Sequence, residues 1–182
     1  VVNKTLKAYM TSCDLPANVR YEFGADGRML NGIVEKDGVL YYYEVGRPKT
    51  KGLIMIDGYY YFAGGSNGEI TVNEKKYVWE GNGLLPKATY EFGPDGRMLD
   101  GIVTKNGVMY YYDTGVAKKA GLIPYEDSYI FVSGSNGEIT VNEAKFVSQT
   151  NGHLPAATYE FGPDGKMLGS SAEGSIVEID GI

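Results

Sequence analysis

Tyr90-Glu91-Phe92-Gly93-Pro94-Asp95-Gly96-Arg97-Met98-Leu99 decides the fold, because the chain carries this stretch three times. Tyr21 to Leu30 differs from it only by Ala25 for Pro94, and Tyr159 to Leu168 only by Lys166 for Arg97. The copies start 69 residues apart, with no insertion between them. A long period held at constant length marks a repeat architecture, in which each unit packs on its neighbours.

Each 69-residue unit is itself threefold. The pattern Tyr-x-(Phe/Tyr) occurs at Tyr21/Phe23, Tyr41/Tyr43 and Tyr60/Phe62, at Tyr90/Phe92, Tyr110/Tyr112 and Tyr129/Phe131, and once more at Tyr159/Phe161. The sub-repeats span about 20, 19 and 30 residues. Residues i and i+2 of a strand share a face, so each pair predicts the inward face of a short strand. Runs such as Val39-Leu40-Tyr41-Tyr42-Tyr43 and Val108-Met109-Tyr110-Tyr111-Tyr112 have the aromatic and β-branched content that strands favour.

Between the strands, Asp26-Gly27, Asp37-Gly38, Asp57-Gly58, Asn67-Gly68, Asp95-Gly96, Asn106-Gly107, Asn136-Gly137 and Asp164-Gly165 predict tight hairpin turns. The segment from Val141 to Val147 is too short and too β-branched to predict a helix. Hairpins this short cannot bury a face alone. The expected fold is therefore all-β, a β-solenoid of stacked short hairpins. Residues 1–20 end a preceding unit, 21–89 and 90–158 form two full units, and 159–182 form a partial third, in one continuous solenoid.

Composition narrows the function. The chain has 182 residues, a net charge of −6 and 43% hydrophobic residues, enough for a packed core. No clustered Lys/Arg stripe is present for binding a nucleic acid. No apolar run reaches the ~20 residues that membrane insertion by a helix requires. Val2-Asn3 to Leu15-Pro16 matches in length Val72-Asn73 to Leu85-Pro86, which predicts a chain that begins inside a repeat and is a piece of a longer polypeptide. A single Cys13 leaves no internal disulfide, and Cys13 and His153 lie about two units apart, too far along the array for a nucleophilic pair. No metal-ligand cluster, phosphate loop or cofactor motif is visible, and the recurring Asp26, Asp95 and Asp164 are accounted for by their turns. No enzyme is expected.

Phe92-x-x-Asp95-Gly96-x-Met98-x-x-Gly101, with Asn106-Gly107 and Tyr110-Tyr111-Tyr112 after it, resembles the cell-wall and glucan-binding repeats of Gram-positive surface proteins. That superfamily includes choline-binding repeats, the glucan-binding repeats of glucosyltransferases and the C-terminal oligopeptide repeats of clostridial toxins. The mixture of short and long sub-repeats is most similar to the toxin repeats. The resemblance covers residues 14–168 and implies a β-solenoid that binds choline or carbohydrate outside the cell. The aromatic box of choline-binding repeats is largely replaced: Ile33, Leu53, Ile102 and Leu122 stand at its Gly-Trp positions, Leu40 and Met109 before the Tyr pair, and only Tyr59 stays aromatic. Aliphatic side chains offer no π face to a quaternary ammonium, so choline is disfavoured.

The expected role is a non-catalytic module that anchors or targets a larger secreted or wall-attached bacterial protein. Its partners would be cell-wall polysaccharide, a glucan or a host glycan. The alternative is a structural spacer, or an adhesion module with no glycan site of its own. The candidate sugar-contacting residues are the mid-strand Tyr42, Tyr61 and Tyr111, expected to point outward, together with Tyr59, Trp79, Asn67 and Asn136. Each has a structural reading too: the aromatics as packing between hairpins, and the asparagines as residues their Asn-Gly turns require. Gly169 to Ser175 predicts a flexible loop or linker, and the open end of an array predicts end-to-end self-association.

Overall fold

The computed structural model describes residues 4–7, 15–16, 18–119, 121–133, 136–148, 150 and 152–171; Cys13 and Ser135 lie outside them. Every regular element among the described residues is a β-strand, all pairing is antiparallel, and no sheet closes into a barrel. The chain divides into two compact units, Val1–Met98 and Leu99–Ile182.

The first unit contains β1 (Lys4–Lys7), β2 (Arg20–Phe23), β3 (Gly32–Lys36), β4 (Val39–Glu44), β5 (Arg47–Pro48), β6 (Gly52–Ile56), β7 (Tyr59–Gly64), β8 (Glu69–Ile70), β9 (Glu74–Val78) and β10 (Ala88–Phe92). Hairpins β3–β4 and β6–β7 join through the short β8 into one sheet of order β3-β4-β8-β7-β6, with β5 on β4. β1–β2 and β9–β10 form separate two-stranded sheets. The second unit contains β11 (Gly101–Lys105), β12 (Val108–Asp113), β13 (Val116–Ala117), β14 (Gly121–Tyr125), β15 (Ser128–Ser133), β16 (Glu138–Ile139), β17 (Glu143–Val147), β18 (Ala157–Phe161) and β19 (Met167–Ser171). Its main sheet has the matching order β11-β12-β16-β15-β14, with β13 on β12, and β17-β18-β19 form a second sheet.

The turns divide into two kinds. Asp37-Gly38, Asp57-Gly58 and Asn106-Gly107 hold both central residues at positive φ, 50–53° for the first residue and 78–82° for the glycine. They are the two-residue turns whose twist matches the paired strands. Asp26-Gly27, Asp95-Gly96 and Asp164-Gly165 are longer than expected. Gly96 N–H donates to Gly93 O at 3.1 Å, Gly93 N–H donates to Arg97 O at 2.8 Å, and only the glycine of the Asp-Gly pair has positive φ. The Asp95 carboxylate accepts from Arg97 N–H at 3.0 Å, which fixes that turn from within.

The Tyr-x-aromatic pairs do fill a core. Tyr90 and Phe92 pack with Leu53, Val78 and Met98, flanked by Tyr60 and Phe62, and the second unit repeats this with Tyr159, Phe161, Leu122 and Val147. The expectation that Tyr42, Tyr61 and Tyr111 point outward fails. Tyr61 is only 7% exposed and Ile130 is 0% exposed. They sit in a second core on the opposite sheet face, Ile54, Tyr61, Ala63 and Ile70 in one unit and Ile130, Val132 and Ile139 in the other. Tyr42 and Tyr111 pack half-buried against the same cores. Both faces of each main sheet are covered, so alternation separates two cores rather than inside from outside.

Of the segment 169–175 expected to be flexible, residues 172–175 lie outside the described residues, and Gly169-Ser170-Ser171 is not a linker. It continues β19, pairing Glu160 with Gly169, Tyr159 with Ser170 and Thr158 with Ser171.

Candidate functional site

A groove of about 530 Å³ opens in the first unit. Its apolar floor comes from Ile33, Val39 and Leu40 of the β3–β4 hairpin, Ile70 of β8, Val72 and Pro94. Its polar wall comes from Glu35, Asp95, Arg97 and Tyr61. The wall is positioned from three segments, with Glu35 supplied by β3. The Asp-Gly turn after β10 sets Asp95 and Arg97 two residues apart on one rim, and β7 supplies Tyr59 and Tyr61 on one strand face.

These four side chains form a fixed constellation. The Arg97 guanidinium lies 3.9 Å from the centre of the Tyr59 ring, a cation–π stack, and Nε donates to the Tyr61 hydroxyl at 3.3 Å. Nε is also 3.4 Å from an Asp95 carboxylate oxygen. The hydrogen bond to Tyr61, before any other cause, holds Arg97 above its ordinary pKa. Among the described residues its two terminal amino groups make no hydrogen bond. The groove thus presents donors on Arg97 beside acceptors on Asp95 and Glu35, over aliphatic surface. A sugar hydroxyl can donate and accept at once, so an adjacent donor and acceptor suit it, and its C–H face suits the floor.

The same motif without the tyrosines makes no such site. Arg28, in the identical Asp-Gly-Arg turn, has its side chain 89% exposed, against 47% for Arg97. The sequence signal was therefore not the turn but its tyrosine partners one hairpin away.

Of the expected contact residues, the structure brings together only Tyr59 and Tyr61. Tyr59 is 47% exposed but its face is taken by the guanidinium, and Tyr61 is a buried wall rather than an outward platform. The Tyr42 hydroxyl donates to Glu44 at 2.9 Å, and burial is the first cause that raises its pKa. Tyr111 meets Tyr125 edge-on at 5.9 Å. Asn67 and Asn136 are exposed in turns whose following glycines accept from Tyr42 N–H at 2.8 Å and Tyr111 N–H at 2.9 Å, which supports their reading as turn residues. Trp79 is 76% exposed, away from the groove-lining residues, with its ring edge-on to Tyr77 at 4.8 Å. His153 lies 5.9 Å from the Tyr129 ring. Sequence reasoning missed Arg97, Asp95, Glu35 and the aliphatic floor.

No protein-family model matches the chain, and no curated protein does. Solved structures do. CbpJ from Streptococcus pneumoniae matches with a TM-score of 0.52 and 18% identity over 92% of this chain and 58% of that one. Choline-binding protein F from Streptococcus pneumoniae, solved in the presence of a peptidoglycan analogue, matches with a TM-score of 0.50 and 21% identity over 90% of this chain and 47% of that one. The chain thus spans about half the length of these proteins. The likeness is one of fold.

Proposed function

We propose that the chain is a non-catalytic carbohydrate-binding repeat module, its hairpins stacked as a β-solenoid with a 69-residue unit. In this reading it holds a larger secreted or wall-attached bacterial protein on a cell-wall polysaccharide or an external glucan. The observation that carries the reading is the first unit's groove, an apolar floor beside the paired Arg97 and Asp95. The fold shared with choline-binding protein F, solved in the presence of a peptidoglycan analogue, supports the cell-wall setting.

Two further points favour a neutral sugar and no chemistry. The Tyr59 face, where a quaternary ammonium would sit, already holds the Arg97 guanidinium. Asp95 is committed to Arg97 through both the backbone N–H and Nε, an acceptor locked in a turn rather than a free acid or base. Retention on insoluble α-glucan and on purified Gram-positive cell wall tests the reading, with Tyr59→Ser/Arg97→Ala in parallel and the fold checked by far-UV circular dichroism. Retention lost in the folded double variant is the expected result. Equal retention by the variant would refute the groove, and no retention by either protein would leave a structural spacer as the better account.

A further inference from the structure

The groove-forming constellation is present in the first compact unit, and its counterpart in the second has different residues. Counting forward 69 residues, Tyr59 becomes Ser128, Tyr61 becomes Ile130 and Arg97 becomes Lys166, while Asp95 persists as Asp164. Tyr59 and Tyr61 hold the Arg97 guanidinium in the first unit, and all three positions change together although the flanking strands keep their registers. Leu53 pairs with Phe62 and Leu122 with Phe131, and the Met98 and Met167 positions both survive.

Each replacement acts in the same direction. Ser128 offers no ring, and its hydroxyl donates to Met167 O at 3.0 Å. Ile130 is fully buried and carries no hydroxyl to orient a cation. The Lys166 ammonium is drawn instead to the β14–β15 turn, 2.6 Å from Glu126 and 3.3 Å from Asp127, where the first unit has Asp57-Gly58. A compact ammonium neutralised by two carboxylates cannot present the planar pair of donors that a stacked guanidinium presents.

We infer that the two homologous units are functionally unequal: the first unit's groove binds the sugar, and its counterpart in the second unit is silent. The inference rests on the carbohydrate reading of the groove and deepens it, by making Tyr59, Tyr61 and Arg97 the residues that decide which unit binds. The chain then takes one oligosaccharide, not one for each unit.

Isothermal titration calorimetry with isomaltononaose, and with chitotetraose as a second probe, measures the stoichiometry directly. The variants are Arg97→Lys, which gives the first unit the second unit's residue, and Lys166→Ala, with thermal unfolding followed for both. The expected result is one ligand per chain, weakened about tenfold or more by Arg97→Lys and unchanged by Lys166→Ala. Two ligands per chain, an affinity lost with Lys166→Ala, or an affinity indifferent to Arg97→Lys would overturn the inequality while leaving a sugar-binding module. Absence of any binding to either probe would overturn the carbohydrate reading itself, and the inference with it.

Discussion

Asn82 makes a sharp test of how the long sub-repeat is held. Its side-chain amide donates to Lys51 O at 2.5 Å and to Leu53 O at 2.7 Å, across 31 and 29 residues of sequence. The two bonds tie the 81–85 loop to the start of β6, whose Leu53 is 0% exposed in the core. Asn82 also sits at φ 51°, a conformation that Asn and Gly tolerate and Ala does not. Asn82→Gly keeps the backbone accessible and removes only the bonds, so at about 0.5–1.5 kcal/mol each, and with the site partly wet, it should cost about 1–2 kcal/mol. For a chain of this length that is a fall in Tm of roughly 2–8 °C. Asn82→Ala should cost about 1–2 kcal/mol more, through the left-handed backbone. Asn82→Asp places a carboxylate against two carbonyl oxygens, which raises its folded pKa above the ordinary value of about 3.9. Its penalty is then fully present above that raised pKa and fades as pH falls through it, because the protonated acid can donate one bond. Urea unfolding followed by circular dichroism at pH 7 and pH 4 reads all three. An Asn82→Gly variant within about 0.3 kcal/mol of the parent would refute the clamp, and so would an Asn82→Asp variant equally destabilised at both pH values.

Other outcomes follow from single contacts. Gly68→Ala should cost well over 2 kcal/mol, about the upper range of common substitutions, because a Cβ there would lie 2.4 Å from Lys49 O at φ +73°; Gly38→Ala, at φ +78° with nothing within 4 Å, should cost only about 1–2 kcal/mol, and thermal unfolding separates them. Lys36 is held above its ordinary pKa by hydrogen bonds to Glu22, at 2.5 Å, and then to Tyr43, so its contribution is complete below the unfolded value of about 10.4 and lost as pH rises through the folded one. Lys36→Met should therefore flatten the alkaline limb of the stability–pH curve. Glu44 is held below its ordinary value first by Lys51, so its contribution is present above about 4.3 and lost as pH falls through the folded pKa; Glu44→Gln should flatten the acid limb. Trp79, the chain's one tryptophan and 76% exposed, should fluoresce as a water-exposed indole that acrylamide quenches freely, and Trp79→Ala should move stability by no more than about 0.5 kcal/mol.

Strand positions were legible wherever a local signal was unambiguous. Tyr-x-aromatic pairs marked β2, β4, β7, β10, β12, β15 and β18, and Asp-Gly or Asn-Gly marked the tight hairpin turns. β9, whose Glu74-Lys75-Lys76-Tyr77-Val78 reads as charged surface, was not legible, because only its pairing with β10 makes it a strand. Nor was the Val45-Gly46 turn, since a β-branched residue at φ 49° contradicts its own preference. That turn is held from outside: Gly46 N–H donates to Leu30 O and Gly46 O accepts from Glu22 N–H, both at 2.7 Å, and a Cβ on Gly46 would lie 3.1 Å from Glu22 O. The site was hidden for the same reason. Arg28 and Arg97 share one local sequence, and what distinguishes them is a tyrosine pair 36–38 residues before Arg97, a contact no local pattern encodes.

The sequence change that removes the site must also leave a packed core, and the residues record how. Tyr61 shares its core with Ala63, and Ile130 shares the matching core with Val132, so a large and small pair in one unit becomes two medium residues in the other. Core volume is thus conserved while the hydroxyl is lost, which repacked interiors tolerate. The compensation predicts coupling. Ile130→Tyr alone forces a ring against Val132 and should destabilise by about 1–3 kcal/mol. Val132→Ala alone removes two methyl groups from a site 0% exposed and should cost about 1–3 kcal/mol. The double variant restores the first unit's pairing, so its cost should fall below the sum by about 1 kcal/mol or more, within the usual range for residues in contact. Denaturant unfolding of the four proteins closes the cycle. Additive costs would mean that residues 61 and 63 were not exchanged as a pair, and that the loss of Tyr61 in the second unit needs a cause other than the groove it served.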